Sequence, residues 1–227
     1  MIDTRPALPA DFQLFLASQS PRRHSLLREL GVAFTIVPSD AQEVLDGGPA
    51  ERLAEANALA KVEKARIPAG ALSGAFVLGT DTLVTVDGRV LGKPSSRDEA
   101  REMLQLLSGR RHRVVSGVAL VRRGPEDAGA EASTGSSGKR RVTSAITEVN
   151  FERLLPSDIE AYLASGEWKG KAGAYAVQGL AGLFVAGVDG EYSNVVGLPC
   201  CLLSRLFREL GFDLLGRVWY RQQPESL

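Results

Sequence analysis

Phe12-Gln13-Leu14-Phe15-Leu16-Ala17-Ser18-Gln19-Ser20-Pro21-Arg22-Arg23 is the stretch on which the fold turns. Its first half, Phe12–Ala17, is a short apolar run that reads as a strand. Its second half opens a helix. Ser20 is a favourable N-cap, Pro21 suits the first helical position, and Leu26, Leu27 and Leu30 follow at helical spacing. Gly31 ends that helix.

The same reading extends along the chain. Ala33–Val37 reads as the next strand, and the Ala-, Glu- and Lys-rich Pro49–Ile67 as a helix. Ala75–Gly79 and Leu83–Val86 are strand-like, with Thr80-Asp81-Thr82 read as an interruption between them. Asp87-Gly88 is a hairpin turn signal. Ser96 and Glu99 form a capping box before a helical face of Ala100, Met103, Leu104 and Leu107, closed by Ser108-Gly109. Val114–Val121 is a strand, and Ile146–Phe151 begins the strand that returns. The Gly-, Ser- and charge-rich residues 124–144 between them are expected to form a flexible insertion. Ser157 and Glu160 suggest a second capping box, for a helix ending near Gly166. Leu183–Val188 is a strand turned by Asp189-Gly190, and Leu198–Leu210 a helix stopped by Gly211. Helices alternate with strands early and hairpins dominate later. The expected class is α/β, with a mixed twisted sheet flanked by helices.

Composition narrows the function. The chain has 227 residues, enough for a proper core, and its 27 Lys+Arg balance 27 Asp+Glu. No global field draws it to nucleic acid or membrane, so an anionic ligand needs a local cluster. No apolar run approaches the length of a membrane span, and residues 1–11 lack the pattern of a signal peptide. Cys200 and Cys201 are adjacent, unsuited to pairing with each other, and are expected to be buried packing thiols. The expected compartment is the cytoplasm. With only His24 and His112, a His-rich zinc site is unavailable; a metal would be a hard cation, Mg or Mn, held by carboxylates. Arg110-Arg111-His112-Arg113 reads as a solvated strand start rather than a nucleic-acid patch.

Four segments carry candidate chemistry. Ser18–Arg23 places two arginines at a helix N-terminus, suited to phosphate oxygens; the alternative is a plain capped helix with solvated arginines. Asp81, in Gly79-Thr80-Asp81-Thr82, follows an apolar strand, where open sheets place ligands; the alternative is a turn aspartate. Lys93, in Gly92-Lys93-Pro94, offers a point charge. In the segment Lys171–Gly179, small residues allow close approach, and Gln178 offers both a donor and an acceptor for a base edge. Asp40 and Glu43 are acidic residues able to join Asp81 around a cation.

Taken in order, these segments resemble the Maf family of nucleotide pyrophosphatases. The resemblance spans Leu14–Gly211 and rests on Leu16-Ala17-Ser18-Gln19-Ser20-Pro21-Arg22-Arg23, Gly79-Thr80-Asp81-Thr82, Leu91-Gly92-Lys93-Pro94, Leu107-Ser108-Gly109-Arg110, Lys171-Ala172-Gly173-Ala174-Tyr175 and Asn194-Val195-Val196-Gly197-Leu198-Pro199. It implies a two-lobed fold like that of inosine-triphosphate pyrophosphatases, with a cleft. Residues 12–227 would form the single domain, after an N-terminal extension at 1–11. It implies metal-dependent hydrolysis of a nucleoside triphosphate to the monophosphate and pyrophosphate, and commonly a homodimer. The family's catalytic carboxylate falls on Asp81, its phosphate-binding positions on Ser18, Ser20, Arg22 and Arg23, and its acidic residue after the second strand on Glu43. Its helix lysine falls on Lys61, with Lys64 the alternative, and the Gly-Lys-Pro lysine is Lys93. The late Lys171–Gly179 segment is similar to the branch acting on dTTP and UTP rather than on 7-methyl-GTP. The positions linked to that choice match Arg22, Thr82 and Gln178, and Lys171 joins the expected substrate contacts. A house-cleaning role against these and modified pyrimidine nucleotides follows. The rival implied by the family's association with division arrest is a regulatory nucleotide-binding protein.

Overall fold

The computed structural model describes residues 6–125 and 138–220. Its centre is a seven-stranded mixed sheet. The N-terminal apolar run forms β1 (Leu14–Leu16), parallel to β2 (Thr35–Ile36) on one side and to β3 (Phe76–Val86) on the other. β4 (Arg89–Leu91) folds back on β3, and β5 (Arg111–Arg122), β6 (Lys139–Phe151) and β7 (Val185–Asp189) continue the sheet antiparallel. Asp87 and Gly88 join β3 to β4 with φ of 48° and 77°, the left-handed pair that a tight two-residue hairpin requires.

The helices are α1 (Pro21–Glu29), α2 (Ala50–Glu63), α3 (Arg97–Leu107), α4 (Pro156–Ser165), α5 (Tyr192–Val196) and α6 (Cys200–Glu209). Side chains along β3 alternate between two apolar layers, as the period of a strand dictates. On one face Ala58 and Val62 of α2 pack with Phe15, Val77 and Ala119, and Ala54 with Leu83 and Val115. On the other face Leu27 of α1 and Leu203 and Phe207 of α6 cover Leu16, Phe76 and Leu78. There Leu104 of α3 and Leu163 of α4 cover Val84 and Val114.

Two glycines let α2 sit unusually close to the sheet. A Cβ on Gly79 would lie 2.3 Å from the Ala58 carbonyl oxygen, and one on Gly117 would lie 2.1 Å from that of Ala54. Any side chain at either position would push the helix outward.

β3 is one unbroken strand, which corrects the expected interruption at Thr80-Asp81-Thr82. β5 pairs with it continuously from Phe76 to Thr85. What breaks is the opposite edge. There β1 stops at the Leu16–Leu78 pair and β4 starts at Leu91–Val84, so no strand lies beside residues 79–83. Asp81 is therefore in mid-strand, not at a strand end.

Other expectations shift too. β6 begins at Lys139, so residues 139–144, expected in the flexible insertion, pair with Gly117–Arg122. Their outward polar side chains read as loop, while their backbone completes a ladder. Residues 126–137 of that insertion and 1–5 of the expected extension lie outside the described residues, as do 221–227. α4 is capped by Asp158, which accepts from the Leu155 N–H at 2.9 Å, not by a Ser157–Glu160 box. Pro156 takes the first helical position and so sets the frame. Glu160 instead accepts from Arg97 and Arg101 on α3. The cysteines are not both buried: Cys200 is half-buried and Cys201 exposed. Leu202, Leu203, Leu206 and Phe207 take the inward face of α6, and the helical period turns Cys201 outward.

Candidate active site

The missing strand beside residues 79–83 leaves room for a cavity of about 570 Å³. The two strands that stop short of the gap lead their chains into it from opposite ends: Ser18–Arg23 after β1, and Gly92-Lys93 after β4. The gap also lets residues from both faces of β3 reach one space, Asp81 from the α2 face and Thr82 from the other. Ser18, Ser20, Arg22, Arg23, Glu43, Lys61, Asp81, Thr82, Lys93, Lys171 and Gln178 all line the cavity. Lys64, the alternative helix lysine, does not; it is exposed at the end of α2.

Asp81 is 2% exposed, and both its oxygens are held. Oδ1 accepts from Lys61 Nζ at 2.7 Å, and Oδ2 accepts from Asn57 Nδ2 at 2.8 Å. Lys61 also donates to Glu43 Oε1 at 2.8 Å, and Lys93 Nζ donates to both Glu43 oxygens at 2.7 and 2.8 Å. The result is a continuous line, Lys93–Glu43–Lys61–Asp81–Asn57. Burial alone would raise the Glu43 carboxyl, but the Lys61 and Lys93 ammoniums outweigh it and hold it down to about 2. Glu43 is thus ionised at any physiological pH. Asp40, also considered from sequence, instead pairs on the surface with Arg66.

The two arginines divide their work. Arg23 is 8% exposed and turns inward: Nε donates to Gly197 O at 2.8 Å, Nη1 to Ser18 Oγ at 3.0 Å, and Nη2 to Thr82 Oγ1 at 3.0 Å. Burial pulls its pKa down to about 10, so it stays charged at neutral pH. Arg22 donates only Nε, to Val196 O at 3.2 Å, leaving its two terminal nitrogens without partners among the described residues. Ser20 occupies the N-cap position of α1 without a side-chain cap bond. The N–H groups of Arg22 and Arg23 at the helix start have no partner among the described residues. The Thr82 hydroxyl is engaged by Arg23 and, at 2.9 Å, by Ser116 Oγ. His24 Nε2 lies 2.9 Å from Ser18 O, a structural bond.

Six cationic side chains line the cavity (Arg22, Arg23, Lys61, Lys93, Lys169, Lys171) against two carboxylates (Glu43, Asp81). Burial, then the charge of Arg22, lowers the Lys171 pKa. The remaining lining includes the less polar Val84, Val114, Tyr175 and Val195 and the exposed Gln178. The sequence reading missed Asn57. An Asn inside the Ala54–Ala58 stripe of a helix is out of place by propensity, and that was the available signal.

The donor set fits a hard divalent cation. Among the described residues no group of three or more His, Cys, Asp or Glu gathers. However, Glu43 and Asp81 each turn an oxygen toward one point, now taken by the Lys61 ammonium. Magnesium is commonly held by one or two carboxylates with substrate phosphates completing its shell.

A family profile described as Maf-like protein matches residues 13–210. A dTTP/UTP pyrophosphatase of Moorella thermoacetica is 49% identical over 209 residues, 91% of this chain and 99% of its own. A dTTP/UTP pyrophosphatase of Thermococcus gammatolerans is 47% identical over 207 residues, 90% of this chain and 100% of its own. Among solved structures, a HAM1 protein from Coxiella burnetii overlaps 63% of this chain and 74% of its own at 16% identity and a TM-score of 0.37, too loosely to carry an argument.

Proposed function

The chain belongs to the Maf-like family, and on that footing we propose that it hydrolyses dTTP and UTP, with related modified pyrimidine nucleotides, to the monophosphate and pyrophosphate as a house-cleaning enzyme. The observation that carries this reading is a nearly buried Asp81 facing a cavity lined by six cations and two carboxylates. Such a space suits a polyanion whose bond to water must be made beside a base.

Arg22 and the free N–H groups of α1 hold the outer phosphates, with Arg23 bracing that wall. Lys93 and Lys171 add charge, and Lys61 exchanges carboxylate for phosphate contacts as the nucleotide enters. Asp81 orients a water and takes its proton. The water oxygen bonds to phosphorus as the bridge between the α- and β-phosphates breaks, and the leaving oxygen is stabilised by the surrounding cations. Attack at the α- or the β-phosphorus gives the same products; hydrolysis in ¹⁸O-labelled water assigns the label to one of them. We assign Mg or Mn to Glu43 and Asp81, where it would supply Lewis-acid charge neutralisation. Gln178 reads the base edge beside Arg22, while Thr82, its hydroxyl engaged, shapes the wall. No helix among the described residues is long and apolar enough to cross a membrane. A cytoplasmic homodimer completes the proposal, in keeping with two free cysteines and with the family resemblance.

The test is a substrate panel of dTTP, UTP, CTP, GTP and 7-methyl-GTP with Mg or Mn, reading pyrophosphate. Release from dTTP and UTP above the others is expected. Binding without release from any member would make the chain a nucleotide-binding protein and end the enzymatic reading.

A further inference from the structure

We propose that Asn57 is a positioning residue that locks the Glu43-bearing segment against Asp81 and so sets the spacing of the two carboxylates. It rests on the hydrolytic reading above.

Glu43 lies between β2 and α2 on residues 40–48, a segment without helix or strand. Its backbone is fastened to the body beside Glu43 by one side chain. Asn57 Oδ1 accepts from the Val44 N–H at 2.8 Å, and Asn57 Nδ2 donates to Val44 O at 2.9 Å. The same Nδ2 donates to Asp81 Oδ2 at 2.8 Å. Asn57 is 2% exposed and does not line the cavity, so it stands behind the reacting groups. A primary amide carries two N–H donors and an acceptor oxygen, and this site uses both donors and the acceptor. The isosteric aspartate has no donor when ionised and would add a second negative charge against Asp81.

α2 makes the arrangement possible. Asn57 and Lys61 lie one helical turn apart and reach the two oxygens of Asp81 separately, Nδ2 to Oδ2 and Nζ to Oδ1. Lys61, which also bonds Glu43, must rearrange toward phosphate in the mechanism above. The Asn57 bonds are internal and do not depend on the ligand, so they hold Glu43 in place while Lys61 moves.

The experiment uses the full chain with Asn57→Ala and, should that variant fold poorly, Asn57→Ser, whose single hydroxyl is too short to bridge both partners. Hydrogen exchange followed by mass spectrometry should show faster exchange in peptides covering residues 40–48, with peptides of β3 unchanged. Pyrophosphate release should fall tenfold or more in kcat, about the scale of a small misplacement, with KM changing less. Glu43→Gln should then cost much less in the Asn57→Ala background than in the parent, because the carboxylate is already out of register. Unchanged exchange at 40–48, or kcat penalties of the two substitutions that multiply in full, would overturn the proposal. If the parent protein releases no pyrophosphate, the hydrolytic reading fails, while the exchange result still decides whether Asn57 locks the segment.

Discussion

At Asp81 the question is charge rather than bulk, since both oxygens already carry donors and the side chain is nearly buried. Asp81→Asn keeps the shape and removes the base. Turnover should fall about 10²–10⁴-fold with circular dichroism unchanged, although the new amide NH2 must face the Lys61 or the Asn57 donor and so lowers the melting temperature; near-normal pyrophosphate release would take Asp81 out of the mechanism. The arginines predict opposite signatures. Arg23 donates from all three guanidinium nitrogens to Gly197, Ser18 and Thr82, a fork that lysine lacks. Arg23→Lys should lower the melting temperature, whereas Arg22→Lys should leave the melt alone and raise KM for dTTP. Thermal melts and steady-state kinetics on the pair check this directly. Gln178 makes no bond among the described residues and sits at the exposed rim of the cavity. Gln178→Glu removes a donor and should change the dTTP-to-CTP ratio; an unaltered ratio would deny it a part in base choice. Ser18–Arg23, Asp81 and Lys93 were legible in the sequence because their types and settings carry the chemistry; Lys61, Thr82 and Lys171 came through the family resemblance, and Lys169 is added by the structure. Asn57 was not legible, because its role depends on where a helix meets a strand, and no spacing within α2 encodes Val44 or Asp81.

Elements repeat that division between local and distant causes. The start of α1 at Pro21 and the Asp87-Gly88 turn follow from their own residues, and both form as read. The continuity of β3 through Asp81 does not: it depends on β5, about thirty-five residues further along, supplying a partner at every step. The cap of α4 shows two local signals competing, with Pro156 prevailing over Ser157. The contact between α2 and the sheet yields a test of its own. Gly117 pairs with Asp81 in the ladder and lies under the Ala54 carbonyl. Gly117→Ala inserts a methyl group where 2.1 Å is available. Overpacking of this kind costs about 1–3 kcal/mol, and it would lift the helix that carries Asn57 and Lys61. Both stability in urea and kcat should drop, although residue 117 touches no substrate. A variant with parental kcat would show that the height of α2 above the sheet is unimportant.

Taken as a whole, the molecule carries a pH liability beside the apolar layer that α3 and α4 cover. His112 is 1% exposed, edge-on to Phe151 and Tyr175, with Nε2 2.8 Å from the Tyr175 hydroxyl. The sequence reading placed it in a solvated strand start; Arg111 and Arg113 are indeed outside, and the period of two turns His112 in. Burial pushes its pKa down to about 4 from the usual 6.5. Between those values the unfolded chain binds the proton and the folded one does not, so stability falls as pH drops through this window, by about 3 kcal/mol in all. Urea unfolding at about pH 7.5 and about pH 5 should show the loss in the parent and a smaller one in His112→Phe; equal losses would clear His112. The mixed sheet flanked by helices was legible from the alternation of strands and helices, whereas the gap beside residues 79–83 was not, because it arises from where two other strands stop. The long β5–β6 hairpin has a further consequence. It begins its climb beside the site, where Gly117 faces Asp81, and ends at the Arg122–Lys139 pair, five residues and about 17 Å away. The protein therefore has a natural splice port: a reporter or affinity module inserted next to Pro125, past the buried Arg123 and its backbone bonds to Gly74 and Ala75, would start away from the cleft and leave the ladder in place.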